Sequence, residues 1–253
     1  MASKQVTDRD RSSSQVTATV EANSNEVDQK LRALLNGFLE AGESMPDIAL
    51  FVRLIRRHLL RATSELNAAD LAHEAEIGDD ALPRLERDDG ETDLRDTVVN
   101  YRNAVSVGYG DAAVRAHGVG SAAPSDPRGL IRYAKDFHAG LIDAARAPAT
   151  PPRGGVVVDR DVLAAELAPR IARLEAALEV VDREAAELKL TQTAKDAAII
   201  ANDVAFSGVA NALEGLLILA GRRDLAERVR PSARRSGVVD QEAADLVEPI
   251  VKS

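Results

Sequence analysis

The sequence predicts an all-α protein, a multi-helix bundle with a long antiparallel C-terminal helical hairpin and a disordered N-terminal tail. Three observations carry this reading. Hydrophobic residues make up 45% of the 253 positions, yet aromatics are only 3% and Trp is absent, so the apolar content is mostly Ala, Leu and Val. That mixture suits helices packed closely through small residues better than a sheet sandwich. Apolar residues also recur at spacings of three and four through most of the chain. Charged residues, 29% of the total, supply the solvated faces that soluble helices need.

Residues 1–24 are polar, Ser/Thr-rich and balanced in charge, with too little apolar surface to offset the entropy of ordering, and read as a disordered tail. The N-terminal helical region, residues 25–146, opens at Asn25 as cap, with Val27, Leu31, Leu34 and Phe38 as the buried stripe and Gly42 as the stop. A second helix starts at Ser44 with Pro46 in its first turn. It buries Ile48, Phe51, Ile55, Leu59, Ala62 and Leu66 and turns Arg53, Arg56, Arg57 and Arg61 outward. The acidic stretch that follows has expected breaks at Gly78, Pro83 and Gly90 and is expected to fold back onto the arginine face. A third helix uses Leu94, Val98, Tyr101 and Val105, and a further one Leu130, Tyr133, Phe137 and Leu141.

Between them, SVGYGDAAV (Ser106 to Val114) carries the letters of a potassium-channel filter and of a dinucleotide-binding turn. Neither neighbour could span a bilayer, and no parallel strands surround the glycines, so the stretch is read as a glycine break after Val107, with Tyr109 tucked against a helix.

APATPPRGG, within a Pro/Gly linker at residues 147–158, makes the clearest boundary. The remaining segment, 159–253, is read as the helical hairpin and a short tail helix using Ala243, Leu246, Val247 and Ile250. One seam runs through Ile171, Leu174, Leu178, Val181, Ala185 and Leu188, with a kink or restart expected at Pro169. The second runs through Ile199, Phe206, Val209, Leu213, Leu216 and Ala220. Asn202 occupies the position this second seam skips, where it either specifies helix pairing or lies solvated at the edge. Gly221 closes the helix, and a basic, partly helical segment ends at Pro231 and Gly237.

The net charge of -9 opposes a general attraction to nucleic acid or anionic lipid, and the absence of Cys excludes thiolate catalysis and Cys-ligated metal. The N-terminus lacks an apolar signal core, so a cytoplasmic protein is expected. The histidines, His58, His73, His117 and His138, show no metal-binding spacing. Asp70 and His73 share a helix face and could offer two ligands, but an acidic surface helix is the favoured account. There is no nucleophile elbow around Ser207 and Gly208 and no phosphate loop. No residue is therefore assigned to catalysis, cofactor binding or metal ligation.

The expected function is a non-enzymatic helical scaffold or protein-interaction module that self-associates through apolar seams, with a protein partner or a second copy as its ligand. No nucleic acid or small-molecule substrate is expected. One alternative is a membrane-active protein using the basic amphipathic helix at 44–66 or the apolar run at 197–221. A second is a metal-binding or enzymatic bundle built on the acidic segment and His73.

Overall fold

The computed structural model describes residues 3–79, 81–146 and 158–240. The 147–157 part of the linker and the tail helix lie outside them. Seven α-helices follow in order: α1 (Lys4–Leu35), α2 (Ile48–Asp79), α3 (Ala81–Tyr109), α4 (Asp111–Ala116), α5 (Pro127–Ile142), α6 (Arg160–Leu219) and α7 (Arg223–Val229). Among the described residues the only β pairing is one isolated antiparallel bridge between Pro231 and Val239. The chain divides into two compact units. Unit 1 is Met1–Ala75 with Leu188–Ser253, and unit 2 is Glu76–Glu187.

In unit 1, α1, α2 and the C-terminal half of α6 enclose a core of Val16, Val20, Leu31, Val52, Leu59, Phe206, Val209, Leu213 and Leu217, with α7 adding Leu225 and Val229. Partners across the bundle fix the directions. Thr63 meets Asn202, Asp70 meets Lys195 and His73 meets Thr191, so α2 and α6 run antiparallel. Gly221 closes α6 with φ +75°, and the paired bonds from Arg222 N to Leu217 O and from Gly221 N to Ile218 O form a Schellman motif.

The expected disordered tail is instead most of α1. Its buried stripe is Val6, Ser12, Ser13, Val16, Thr17, Val20, Val27 and Leu31. Half of the early core positions are Ser or Thr; the Ser12 hydroxyl bonds back to Asp8 O and that of Thr17 to Ser14 O, while the Ser13 hydroxyl is buried without a partner. A search for apolar letters passes over such a stripe. The helix also ends earlier than Gly42, at Leu35, so Leu34 and Phe38 are exposed rather than buried. α2 starts at Ile48, capped by Asp47, whose carboxylate accepts from Leu50 N at 2.8 Å. Phe51, expected inside, is half exposed, and Val52 takes its place in the core.

In unit 2, α3, α5 and the N-terminal half of α6 bury Leu94, Val98, Leu130, Phe137, Leu141, Leu167, Ile171 and Leu174. Gly78 lies one residue before the end of α2, close to the expected break, while Pro83 and Gly90 break nothing. Pro83 sits in the first turn of α3, where its missing N–H has no partner to lose, and a Cβ on Gly90 would lie 3.7 Å from Leu174. The turn after α3 falls at Gly110, with φ +84°, while Gly108 stays inside the helix and Tyr109 packs on the core as expected. Asp126 caps α5, accepting from Gly129 N at 2.6 Å, with Pro127 at the first position. His117 is buried edge-on to Phe137, and Gly140 allows this, since a Cβ there would meet the His117 carbonyl oxygen at 2.6 Å.

The expected hairpin is one helix. KLTQTAKDAA, Lys189 to Ala198, holds neither Gly nor Pro, so nothing turns the chain between the two seams. The seams are two stripes of α6 that serve two cores: Ala164, Leu167, Ile171 and Leu174 in unit 2, and Phe206, Val209, Leu213 and Leu217 in unit 1. Pro169 stands inside α6 without ending it. It and Ala165 are both exposed, so water can serve the carbonyl that the proline leaves without an N–H. Within unit 1 Arg56 pairs with Glu21 and Arg61 with Glu65, and within unit 2 Asp93 pairs with Arg170.

Candidate interaction surface

Two features of unit 1 set it apart, one inside the bundle and one outside. Inside, polar residues cross the core in rungs. Thr63 Oγ1 donates to Leu59 O and reaches Asn202 Oδ1 at 3.2 Å, and Asn202 is fully buried. It therefore lies on the seam, and its partner is α2 of the same chain. Seven residues earlier on α6, Lys195 Nζ lies 2.6 Å from Asp70 Oδ1, and Asp70 is 1% exposed. The second Asp70 oxygen accepts from Ser3 N at 2.9 Å. Burial pushes the Asp70 carboxyl up, but the Lys195 ammonium and the Ser3 amide outweigh it and hold the group below the usual carboxylate range. His73 Nδ1 lies 3.1 Å from Thr191 Oγ1.

Asp70 and His73 are thus buried, not part of an acidic surface helix: the two Asp70 oxygens face Lys195 and Ser3, and His73 Nδ1 faces Thr191. Of the other histidines, His58 is exposed, His138 is half-buried, and His117 bonds Ala113 O through Nδ1. Among the described residues one carboxylate trio, Glu76, Glu184 and Glu187 in unit 2, has oxygens within 4.8 Å of one another, with no histidine in the set. Ser207 and Gly208 lie within α6.

Outside, the face of α6 that turns away from the unit 1 core has no charge. From Ala197 to Leu219 the exposed positions are Ala197, Ile200, Ala201, Val204, Gly208, Asn211, Ala212, Gly215, Ile218 and Leu219. Ile200 is 66% exposed and Val204 69%. The two acidic groups in this run are held sideways by internal partners. Asp203 makes a bidentate pair with Arg9 at 2.7 and 2.8 Å, and Glu214 accepts from Arg230 at 2.9 Å. Gly237, with φ +74°, lets the C-terminal loop close over the first of these pairs, because a Cβ there would collide with Asp203 Oδ1.

Alongside runs a groove of about 290 Å³, floored by Ala62, Ala201 and Ala205 and rimmed by His58, Arg61 and Glu65. A surface helix ordinarily turns charged residues to water, and over this length the face turns none. Gly208 and Gly215 sharpen the point. Each costs helix stability relative to Ala, and a Cβ at either would meet nothing within 4 Å in this chain.

Sequence reasoning found the apolarity of this run but read it as a helix seam and as the membrane-active alternative. The readable signal was its small residues, Ala197, Ala201, Gly208, Ala212 and Gly215, at helical spacing opposite the Phe206 seam. No described helix is long and apolar enough to cross a membrane. No family model, curated protein or solved structure matches the chain.

Proposed function

We propose that the protein is a non-enzymatic helical interaction module whose working surface is the outer face of α6 in unit 1. The observation that carries this is the run of exposed positions from Ala197 to Leu219, apolar but for Asn211 and without charge. The groove floored by alanines supports it, since a helix docking there meets no bulky side chain on the floor. The buried rungs support it too: a bundle whose register is set by Asp70–Lys195 and Thr63–Asn202 presents its outer face in one fixed arrangement.

The ligand this surface fits is an apolar helix face, whether from another protein or from the same one. A photoreactive side chain in place of Ala201, in cells producing the full chain, tests the reading, with the same group in place of the exposed Arg173 as control. Protein adducts are expected at Ala201 and not at Arg173. Equal yields at the two positions, or none at Ala201, would remove the reading.

A further inference from the structure

We infer that the occupant of this face is a second copy of the chain, its α6 antiparallel to the first about a two-fold axis at the level of Phe206. The inference rests on the interaction-module reading and adds the partner and the register.

Symmetry supplies the first argument. A two-fold contact puts the same patch on both partners, so a patch is fit for it only if it complements itself. Positions symmetric about residue 206 do so. Val204 faces Gly208, Ile200 faces Ala212, and Ala197 faces Gly215, so each large side chain meets a small one. A parallel pair would instead set Val204 on Val204 and Ile200 on Ile200, and would leave Gly208 opposite Gly208 with a gap. The register also gives the two helix glycines a role that packing within the chain does not.

Charge supplies the second argument. No Lys, Arg, Asp or Glu is among the exposed positions of α6 on this face, and at the groove rim Arg61 is paired with Glu65, so the surface offers no net charge to an anionic lipid surface or a basic partner. Two copies with a net charge of -9 each repel at long range. Added salt therefore strengthens this association by screening, where it would weaken one driven by opposite charges.

Area sets the strength. A face of this length is roughly 35 Å long and about 10–12 Å wide, from helix rise and diameter. The footprint is on the order of 400 Å² per copy, and the groove wall on α2 adds to it. The total lies near the lower bound of about 1,000 Å² for specific interfaces. An interface of this size is that of a weak, reversible pair, so the expectation is exchange between one and two chains on dilution.

The experiment is light scattering across a dilution series of the full chain, at low and high salt. The expected result is a mass rising from one chain toward two, earlier at high salt. Val204→Glu should weaken the dimer at least tenfold, and Arg173→Glu should not. Gly208→Leu, which replaces a helix-weakening residue, should keep or raise helical stability by circular dichroism while abolishing the dimer. It keeps the test decisive if Val204→Glu fails to fold. The chain has no Cys, so mixing Val204→Cys with Gly208→Cys chains reads the register directly: the mixed disulfide should form in clear excess over either self-linked product. A single-chain mass at every concentration, or a dimer indifferent to Val204→Glu and Gly208→Leu, overturns the inference. If the photoreactive group at Ala201 then still forms adducts, all with other proteins, the partner assigned here is wrong and the interaction-module reading stands.

Discussion

The two halves of α6 make opposite use of charge. Between Asp161 and Glu187 the helix turns Asp161, Glu166, Arg173, Glu179, Asp182, Arg183 and Glu187 to solvent and packs an apolar stripe of Ala164, Leu167, Ile171 and Leu174. Between Ala197 and Leu219 it turns no charge to solvent, while its inward side holds Asn202 in a rung with Thr63, and Lys195, just before this run, sits in a rung with Asp70. Charge on the outside keeps a helix in water, and charge on the inside fixes which neighbours it accepts. The first half is built to be solvated. The second has its polar groups where they specify pairing, and an outer face free for contact.

The sharpest way to break this contrast is to remove one member of the buried ion pair. Lys195→Ala leaves Asp70 buried and unpaired and is expected to destabilise unit 1 by about 3–5 kcal/mol in urea unfolding. The double substitution Asp70→Leu with Lys195→Met should recover most of that loss. If the single variant costs less than about 1 kcal/mol, the rung does not organise the bundle.

In unit 2, where the core is apolar, the comparable test is Leu174→Ala. It should cost about 3 kcal/mol by cavity formation, with no partner substitution able to restore it. Hydrogen exchange on the two variants sharpens the comparison further. Protection should fall first among the α1 and α2 residues of unit 1 for Lys195→Ala, and first in α3 and α5 for Leu174→Ala.

Acid separates the units more gently. The Asp70 carboxyl titrates below its unfolded value of about 3.9, so as pH falls the unfolded chain takes up that proton first. Its contribution is whole above the unfolded pKa and lost as pH falls through the folded one. The stability of the natural chain should therefore drop more steeply below pH ~4 than that of the Asp70→Leu, Lys195→Met variant. Equal slopes would show the pair to be uncoupled from folding.

The smallest effect is expected at Asn202→Leu. Thr63 Oγ1 keeps its bond to Leu59 O in this variant, so no hydroxyl is orphaned, and stability should stay within about 1 kcal/mol or rise. A loss of several kcal/mol would show that Asn202 has polar partners beyond Thr63.

Helical class, the α5 stripe through Leu130, Tyr133, Phe137 and Leu141, and the Gly221 stop were all legible in the sequence, because each rests on local spacing or on a residue with one conformational use. The hairpin was misread because a change of buried face along one helix looks, letter by letter, like two helices. α1 was missed because Ser12, Ser13 and Thr17 hold core positions, and only the folded helix shows that the Ser12 and Thr17 hydroxyls are satisfied by carbonyls of the preceding turn. Asp70 and Lys195 lie 125 residues apart in the chain and nothing local links them. The outer face of α6 was half legible: its apolarity could be read, but which charges would be drawn aside by Arg9 and Arg230 is settled by tertiary contacts.

The order of the two units along the chain bears on how the protein is made. Unit 2 is one continuous stretch, Glu76–Glu187, whereas unit 1 needs Met1–Ala75 and a second piece beginning at Leu188. On the ribosome α1 and most of α2 emerge first and wait for Lys195 and the Phe206 seam while the whole of unit 2 is synthesised. During that wait a stripe of Ser, Thr and Val is a safer thing to leave in water than one of Leu and Phe. The composition that makes α1 look disordered on paper also gives it less apolar surface to expose before the rest of α6 is made.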